Sequence, residues 1–402
     1  MSENQRPQRD HQLEKPVTCH HSPRHLRSGF TLVEVLVVIS IIGILAAIAI
    51  PAISNAVANA KTAAMRMEVD AIEQAIEKYQ QKYGDYPPDF TDWPTVQRHY
   101  KKIFPRILQS ELDRLRLLTD IDTSNDEDTT LPTTWPDHDP NRLDRAEALV
   151  WALGGFSSNP QLPFTGPGGP LEAVTSPAMT AYFQVNTDRE NSFFDFDTAR
   201  LNLTEVDASA AIDSTNRYLS QDDGSVPGND VFPAYAATDN GAPYVYFDSR
   251  TYRINTGTDA APFMNGYGSA TYGFVRPFAS DIAVANTSGS DYPTRVAALG
   301  AWQFMKKDTF QVVGPGIDET FGAVLSFDVD GDMTNDPIFF QYPSGRAIAA
   351  IIGMGIATPG DLIVPDSRAF QEASIFGGLD NFQLDNVTNF SKSKIVDDVV
   401  DP

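Results

Sequence analysis

The chain predicts an α+β protein in which a long amino-terminal helix, membrane-spanning in its first part, packs on an antiparallel β-sheet head carrying a helical insertion. Three observations carry this. Of the 21 positions from 30 to 50, only Thr31, Glu34 and Ser40 have polar side chains, a length of apolar helix that suits about 30 Å of hydrocarbon. The helical pattern then runs on past Pro51 with no Gly or Pro until Gly84. From about residue 176 the chain turns to short apolar runs punctuated by Gly, Pro, Asn and Asp, the pattern of strands and turns.

Beyond Pro51, apolar residues recur at three- and four-residue steps: Ala56, Ala60, Ala64, Met67, Ala71, Ala75 and Tyr79. Lys61, Glu68, Asp70, Glu73, Glu77 and Lys78 fall largely elsewhere, so one face is expected to lie on the protein's own sheet. At 1.5 Å per residue, a helix over 30–83 reaches about 80 Å. Gly84 supplies a C-cap and Pro87-Pro88 prevent continuation. Helical spacing returns over 94–104, 105–119 and 141–153, the last stopped by Gly154-Gly155, with a polar acidic loop over 120–134. These helices read as decoration of the head. Candidate strands are 181–185, 244–247, 272–275, 323–327 and 338–341. The apolar stretch 347–357 is too short to span a bilayer and reads as buried strand or helix.

A carboxylate at mid-bilayer costs about 2.5–3.5 kcal/mol on insertion scales, so Glu34 needs a partner. Its surroundings, Gly29-Phe30-Thr31-Leu32-Val33-Glu34, resemble the cleavage and methylation site of type IV prepilins, including the pseudopilins of type II secretion. The resemblance implies that a membrane prepilin peptidase cuts after Gly29 and methylates the new amino terminus at Phe30. It also implies that Glu34 neutralises such an amine, on a neighbouring subunit, where neither group is easily solvated, and so sets register. Pro51 falls where the family kinks its helix, and Tyr83-Gly84-Asp85-Tyr86-Pro87 again looks like a pseudopilin. The implied division is a leader over 1–29, an assembly helix over 30–83, a helical insertion over 84–155 and a β-rich head over 156–402. A secretory signal peptide is the competing interpretation, because Arg24 and Arg27 precede the apolar run. That run is longer than a signal peptide's apolar region, and the helical pattern continues after it. The same two arginines fit a cytoplasmic amino terminus.

Residues 1–29 hold the only cysteine, Cys19, and four of the six histidines; removing them leaves 25 basic against 50 acidic residues, a formal charge of −25. No disulfide is then available, and Cys19-His20-His21 goes with the leader. So acidic a surface disfavours phosphate backbones, which excludes nucleic acid as a partner, while it attracts divalent cations. No GxSxG, HExxH, Walker A or GxGxxG pattern occurs, and only His99 and His138 remain, so no enzyme is expected.

Three further pieces resemble the heads of major pseudopilins: Asp239-Asn240-Gly241-Ala242-Pro243-Tyr244, a strand entry; residues 310–318, a late strand with a glycine-aspartate turn; and residues 385–390, a terminal motif. In that family the acidic loop between such pieces binds calcium, which by resemblance assigns ligands to Asp318 and Asp385, although Glu319 stands where a glycine is usual. The best local metal candidate is Asp328-Val329-Asp330-Gly331-Asp332-Met333-Thr334-Asn335-Asp336. Its alternating carboxylates Asp328, Asp330, Asp332 and Asp336, with Asn335, gather hard oxygens round one turn, as calcium requires. It is not an EF-hand, since Met333 takes the sixth position and Phe339 the twelfth. Asp222, Asp223 and Asp230, and Asp120, Asp126 and Asp128, are weaker groups.

The resulting expectation is a structural subunit of a type II secretion pseudopilus or type IV-like pilus. Its partners would be identical or related pilin subunits, prepilin peptidase, an inner-membrane assembly platform and, before assembly, membrane lipid. It would sit single-pass in the inner membrane with a periplasmic head, then enter a periplasmic or surface filament. The alternatives are a pilin-anchored, calcium-dependent adhesin or carbohydrate binder, and a surface hydrolase on the same anchor.

Overall fold

The structure, a computed structural model, describes residues 31–119, 143–176, 179–205, 218–220, 232–239, 241–260, 262, 264–269, 271–322, 326–365, 367, 370 and 382–399. The chain forms two compact units, Met1–Ala56 and Val57–Pro402, and helix α1 (Leu32–Tyr83) contributes to both.

In the first unit the apolar side chains from Leu32 to Ile50 are exposed, Leu32 at 81% and Ile48 at 69%. The polar Ser40 is satisfied within the helix, donating to the Leu36 carbonyl at 2.8 Å. Pro51 lies inside α1 with helical residues on both sides, and Ser54 Oγ donates to its carbonyl at 3.0 Å.

In the second unit α1 buries Thr62, Met65, Val69, Ile72, Ala75, Ile76 and Tyr79, a stripe at helical spacing. This corrects the expected face: only Ala75 and Tyr79 belong to it, while Met67 is 67% exposed and Ala60, Ala64 and Ala71 face outward. Burial energy scales with apolar area, so the longer Val and Ile side chains, not the alanines, choose the face. Gly84 ends the helix at φ 74°, in the left-handed region, and its N–H bonds the Gln80 carbonyl at 2.7 Å.

Three helices follow: α2 (Trp93–Ile103), α3 (Gln109–Leu117) and α4 (Glu147–Leu153). Asp92 caps α2 by accepting from Thr95 N at 2.9 Å. The strands are β1 (Leu171–Ser176), β2 (Met179–Val185), β3 (Leu203–Glu205), β4 (Tyr218–Ser220), β5 (Val245–Asp248), β6 (Tyr267–Ser269), β7 (Gly273–Val275) and β8 (Ala279–Ala283). A short helix α5 (Arg295–Leu299) leads to β9 (Trp302–Phe304), β10 (Phe310–Gly314), β11 (Ser326–Phe327), β12 (Asp336–Tyr342), β13 (Ala347–Ala349) and β14 (Val387–Thr388).

One sheet runs in the order β14-β10-β5, antiparallel, with Val313 opposite Val245 on one side and Thr388 on the other. It shares a core with α1, into which Met65, Ile72, Tyr79, Tyr244, Tyr246 and Val312 pack. The helices 93–153 are not decoration. Val96, Tyr100, Leu112, Leu115, Leu149 and Trp151 belong to that same core, and Trp151 Nε1 donates to Tyr100 Oη at 3.0 Å. A second core lies about β8, β9, β12 and β13, with Phe278, Trp302, Phe304, Phe339 and Ile348 buried in it. There the expectation of a purely antiparallel head is corrected at one place, since β12 runs parallel to β8 through Gln341 opposite Ala279. The fully buried Asp89 ties the segment after α1 to the turn after β5, accepting from Thr251 Oγ1 at 2.5 Å and Asn265 Nδ2 at 3.0 Å.

Candidate functional site

Glu34 stands three residues after Thr31 at the start of α1. Its N–H donates to Thr31 Oγ1 at 3.2 Å, and its carboxylate approaches the Thr31 N–H at 3.5 Å, the reciprocal pattern of a capping box. The carboxylate therefore lies back toward the amino end of α1, over the Thr31 N–H. This capping role is a further meaning of Thr31-Leu32-Val33-Glu34, and the Thr-x-x-Glu spacing carries it in the sequence. Gly29 and Phe30 lie outside the described residues, as do Cys19, His20, His21, His138 and the weaker acidic groups at 120–128 and 222–230.

On the second half of α1, Glu68 is a hub. Arg200 grips it in a fork, Nη1 and Nη2 each donating at 2.7 Å, and the hydroxyls of Tyr235 and Tyr244 donate at 2.8 and 2.7 Å. Tyr244 is the last residue of the 239–244 motif, so that motif's tyrosine ends on α1. Five residues along, Glu73 accepts from Lys306 Nζ at 2.8 Å and Asn389 Nδ2 at 3.3 Å. At the end of α1, Asp85 lies 3.2 Å from Arg250 Nη1, 3.4 Å from Lys102 Nζ and 3.6 Å from His99 Nδ1. Burial alone raises its pKa, but the neighbouring His99 and the Arg250 and Lys102 charges outweigh that and hold it well below the carboxylate range. His99, whose Nε2 meets Tyr79 Oη at 2.8 Å, is fully buried, and burial lowers its pKa.

Asp318 and Asp385, far apart in sequence, meet. The Asp385 carboxylate accepts from Ile317 N at 2.7 Å and Asp318 N at 3.3 Å. Gly316, at φ 78°, leaves the necessary room, because a Cβ there would sit 2.5 Å from that carboxyl carbon. Burial and the neighbouring Asp385 charge push Asp318 up to about 6, and burial raises Asp385 as well. In the other acidic loop, ligand oxygens of Asp328, Asp330 and Asp332 lie within 4.8 Å of one another. Backbone amides hold them: Gly331 N and Met333 N donate to Asp328 at 2.7 and 3.1 Å. Asp336 is not with them. It is buried, ion-paired with Arg295 and bonded by Val329 N at 3.1 Å, while Asn335 is exposed. Alternation along the sequence counted Asp336 as an oxygen donor but could not place Arg295 against it.

A family model described as the prokaryotic N-terminal methylation motif matches residues 24–50. The type IV major pilin protein PilE of Neisseria gonorrhoeae is 38% identical over 66 residues, 16% of this chain and 40% of PilE. The type IV major fimbrial protein FimA of Dichelobacter nodosus is 44% identical over 54 residues, 13% of this chain and 35% of FimA. The chain thus spans about two fifths of the length of the relatives it matches. No solved structure matches it. The motif and the long apolar helix make the amino-terminal region of this chain type IV pilin-like. The head is enlarged.

Proposed function

We propose that this chain is a filament subunit, a structural protein without turnover, of a type II secretion pseudopilus or a type IV-like pilus. In this reading prepilin peptidase cuts after Gly29 and methylates Phe30. The subunit waits in the inner membrane with its head in the periplasm, and an assembly platform stacks it through α1. The observation that carries the reading is the exposed apolar first half of α1, whose single carboxylate, Glu34, lies back toward its amino end. Among the described residues of the first unit nothing covers that surface, which suits lipid before assembly and neighbouring helices after it. Mass spectrometry of the mature protein should find an amino-terminal N-methylated Phe30. An intact leader, or cleavage elsewhere, would remove the proposal.

Calcium is assigned to the head on separate support. Burial pushes both carboxylates up, and the Asp385 charge raises Asp318 further; a divalent cation with oxygen ligands relieves both, so Asp318 and Asp385 suit calcium. The Asp328, Asp330 and Asp332 turn offers a second group of carboxylate oxygens. The sign of the pH dependence follows. The folded Asp318 carboxyl, at about 6, holds its proton more tightly than an ordinary aspartate at 3.8, so the stability it contributes in metal-free buffer is present below about pH 4 and lost as pH rises through 6. Thermal midpoints in metal-free buffer should fall across that window for the wild type and less for Asp318→Asn, and added calcium should flatten the profile. A midpoint indifferent to calcium at pH 7 would defeat the assignment.

A further inference from the structure

Away from α1 and the acidic turns, α4 and the segments near residues 185–203 and 232 enclose a pocket of about 190 Å³. Its walls are aromatic. Trp151 and Phe232 meet edge to face with centroids 5.9 Å apart, Phe194 and Phe196 lie 4.8 Å apart, and Leu203 adds an aliphatic side. At the carboxyl end of α4 the lining changes to a cation, Arg189. Its Nη1 donates to the Val150 carbonyl at 2.8 Å, and its Nη2 to those of Trp151 and Gly155 at 2.5 and 2.6 Å. Gly154 makes space for it, since a Cβ there would come within 2.3 Å of Nη1. The Arg189 Nε is buried and has no acceptor, and among the described residues the hydrogen bonds given for the guanidinium all go to main-chain carbonyls. Burial accordingly lowers its pKa.

Two carboxylates also line the pocket, and neither reaches this end. Glu147 is at the opposite end of α4, where its carboxylate accepts from Asp144 N at 2.9 Å. Asp195 is exposed at the rim. A half-buried cation held only by neutral carbonyls retains an unmet preference for an anion, and the second Nη1 proton, which no carbonyl takes, is the donor left for a carboxylate. An apolar cavity of about 150 Å³ takes a benzene ring, so this one takes a ring together with a carboxyl group.

We propose that this pocket binds a small carboxylate with a flat apolar body, the ring lying among Trp151, Phe194, Phe196 and Phe232 and the carboxylate meeting Arg189. The chemistry is shared by a free aromatic acid and by the carboxyl-terminal residue of a peptide. Ligand-observed NMR and thermal shift on the full chain test it, with sodium benzoate as the free acid, N-acetyl-phenylalanine as the peptide-end mimic and benzyl alcohol as the uncharged control. Benzoate should bind saturably and at least about ten-fold tighter than benzyl alcohol, the scale of one hydrogen bond to a charged group. N-acetyl-phenylalanine binding above benzoate would identify a peptide end as the source, and binding below it a free acid. Arg189→Met should remove the preference for the acid over the alcohol. Should that variant lose α4, Leu203→Trp fills the cavity while leaving Arg189 in place, and should abolish binding of all three. Equal binding of benzoate and benzyl alcohol to the wild type, or saturable binding of none, would overturn the proposal.

Discussion

Glu34→Ala should leave the precursor cut after Gly29 and methylated at Phe30, yet lower its incorporation into filaments at least about ten-fold. The size follows from what the carboxylate faces in an apolar assembly: an ionised amine without its partner there costs several kcal/mol. Two smaller effects must be separated from it. The substitution also removes one side of the capping box, a contribution of about 1 kcal/mol to the first turn of α1. Thr31→Ala removes the other side of the same cap and keeps the charge, so it should assemble close to normally. Glu34→Gln keeps the shape and loses the charge, and should fail like the alanine. Immunoblots of sheared filaments against membrane fractions give the readout, and normal incorporation of Glu34→Ala would end the register role.

Glu68→Ala should destabilise the head by about 3 kcal/mol, because it leaves Arg200 without its carboxylate and the hydroxyls of two buried tyrosines without their acceptor. Glutamate and alanine differ little in helix propensity, so the loss reports the network and not the helix. Glu68→Gln, which still accepts hydrogen bonds but carries no charge, should fall between. Asp70→Ala is the control: its ion pair with Arg66 is local to the helix and the carboxylate is 45% exposed, so the loss should stay under about 0.5 kcal/mol. Denaturant unfolding followed by tryptophan fluorescence checks the series, and a Glu68→Ala midpoint equal to that of Asp70→Ala would show that the clamp adds nothing.

The contrast between these two acids marks what was legible beforehand. Glu34 stands out in the sequence because everything near it is apolar; Glu68 looks like any solvated acid on a wet helix face, and its partners lie 132 to 176 positions away. The extent of α1 was readable from unbroken periodicity, as were α2, α3 and the buried strands β5 and β12. Its buried face was not, since counting alanines as core ignored how little area they cover. Helix α5 and strands β3, β6 and β9 are three to five residues long, too short for a period, and tertiary packing alone defines them. Asp318 and Asp385 were paired through family resemblance, not through any local pattern. Arg189 gave no sign at all, because its partners are main-chain carbonyls, which no side-chain motif encodes.

The sheet order β14-β10-β5 also sets a timetable. Strand β10 cannot be flanked on its second side until the ribosome has delivered residues 387–388, and Asp385 reaches back over 68 positions to fasten the turn after β10. Synthesis runs at about 5–20 residues per second, so the first half of α1 is available to the membrane many seconds before the sheet beneath its second half is complete. Delivery of the apolar helix and closure of the head are thus separate events in the synthesis of each chain.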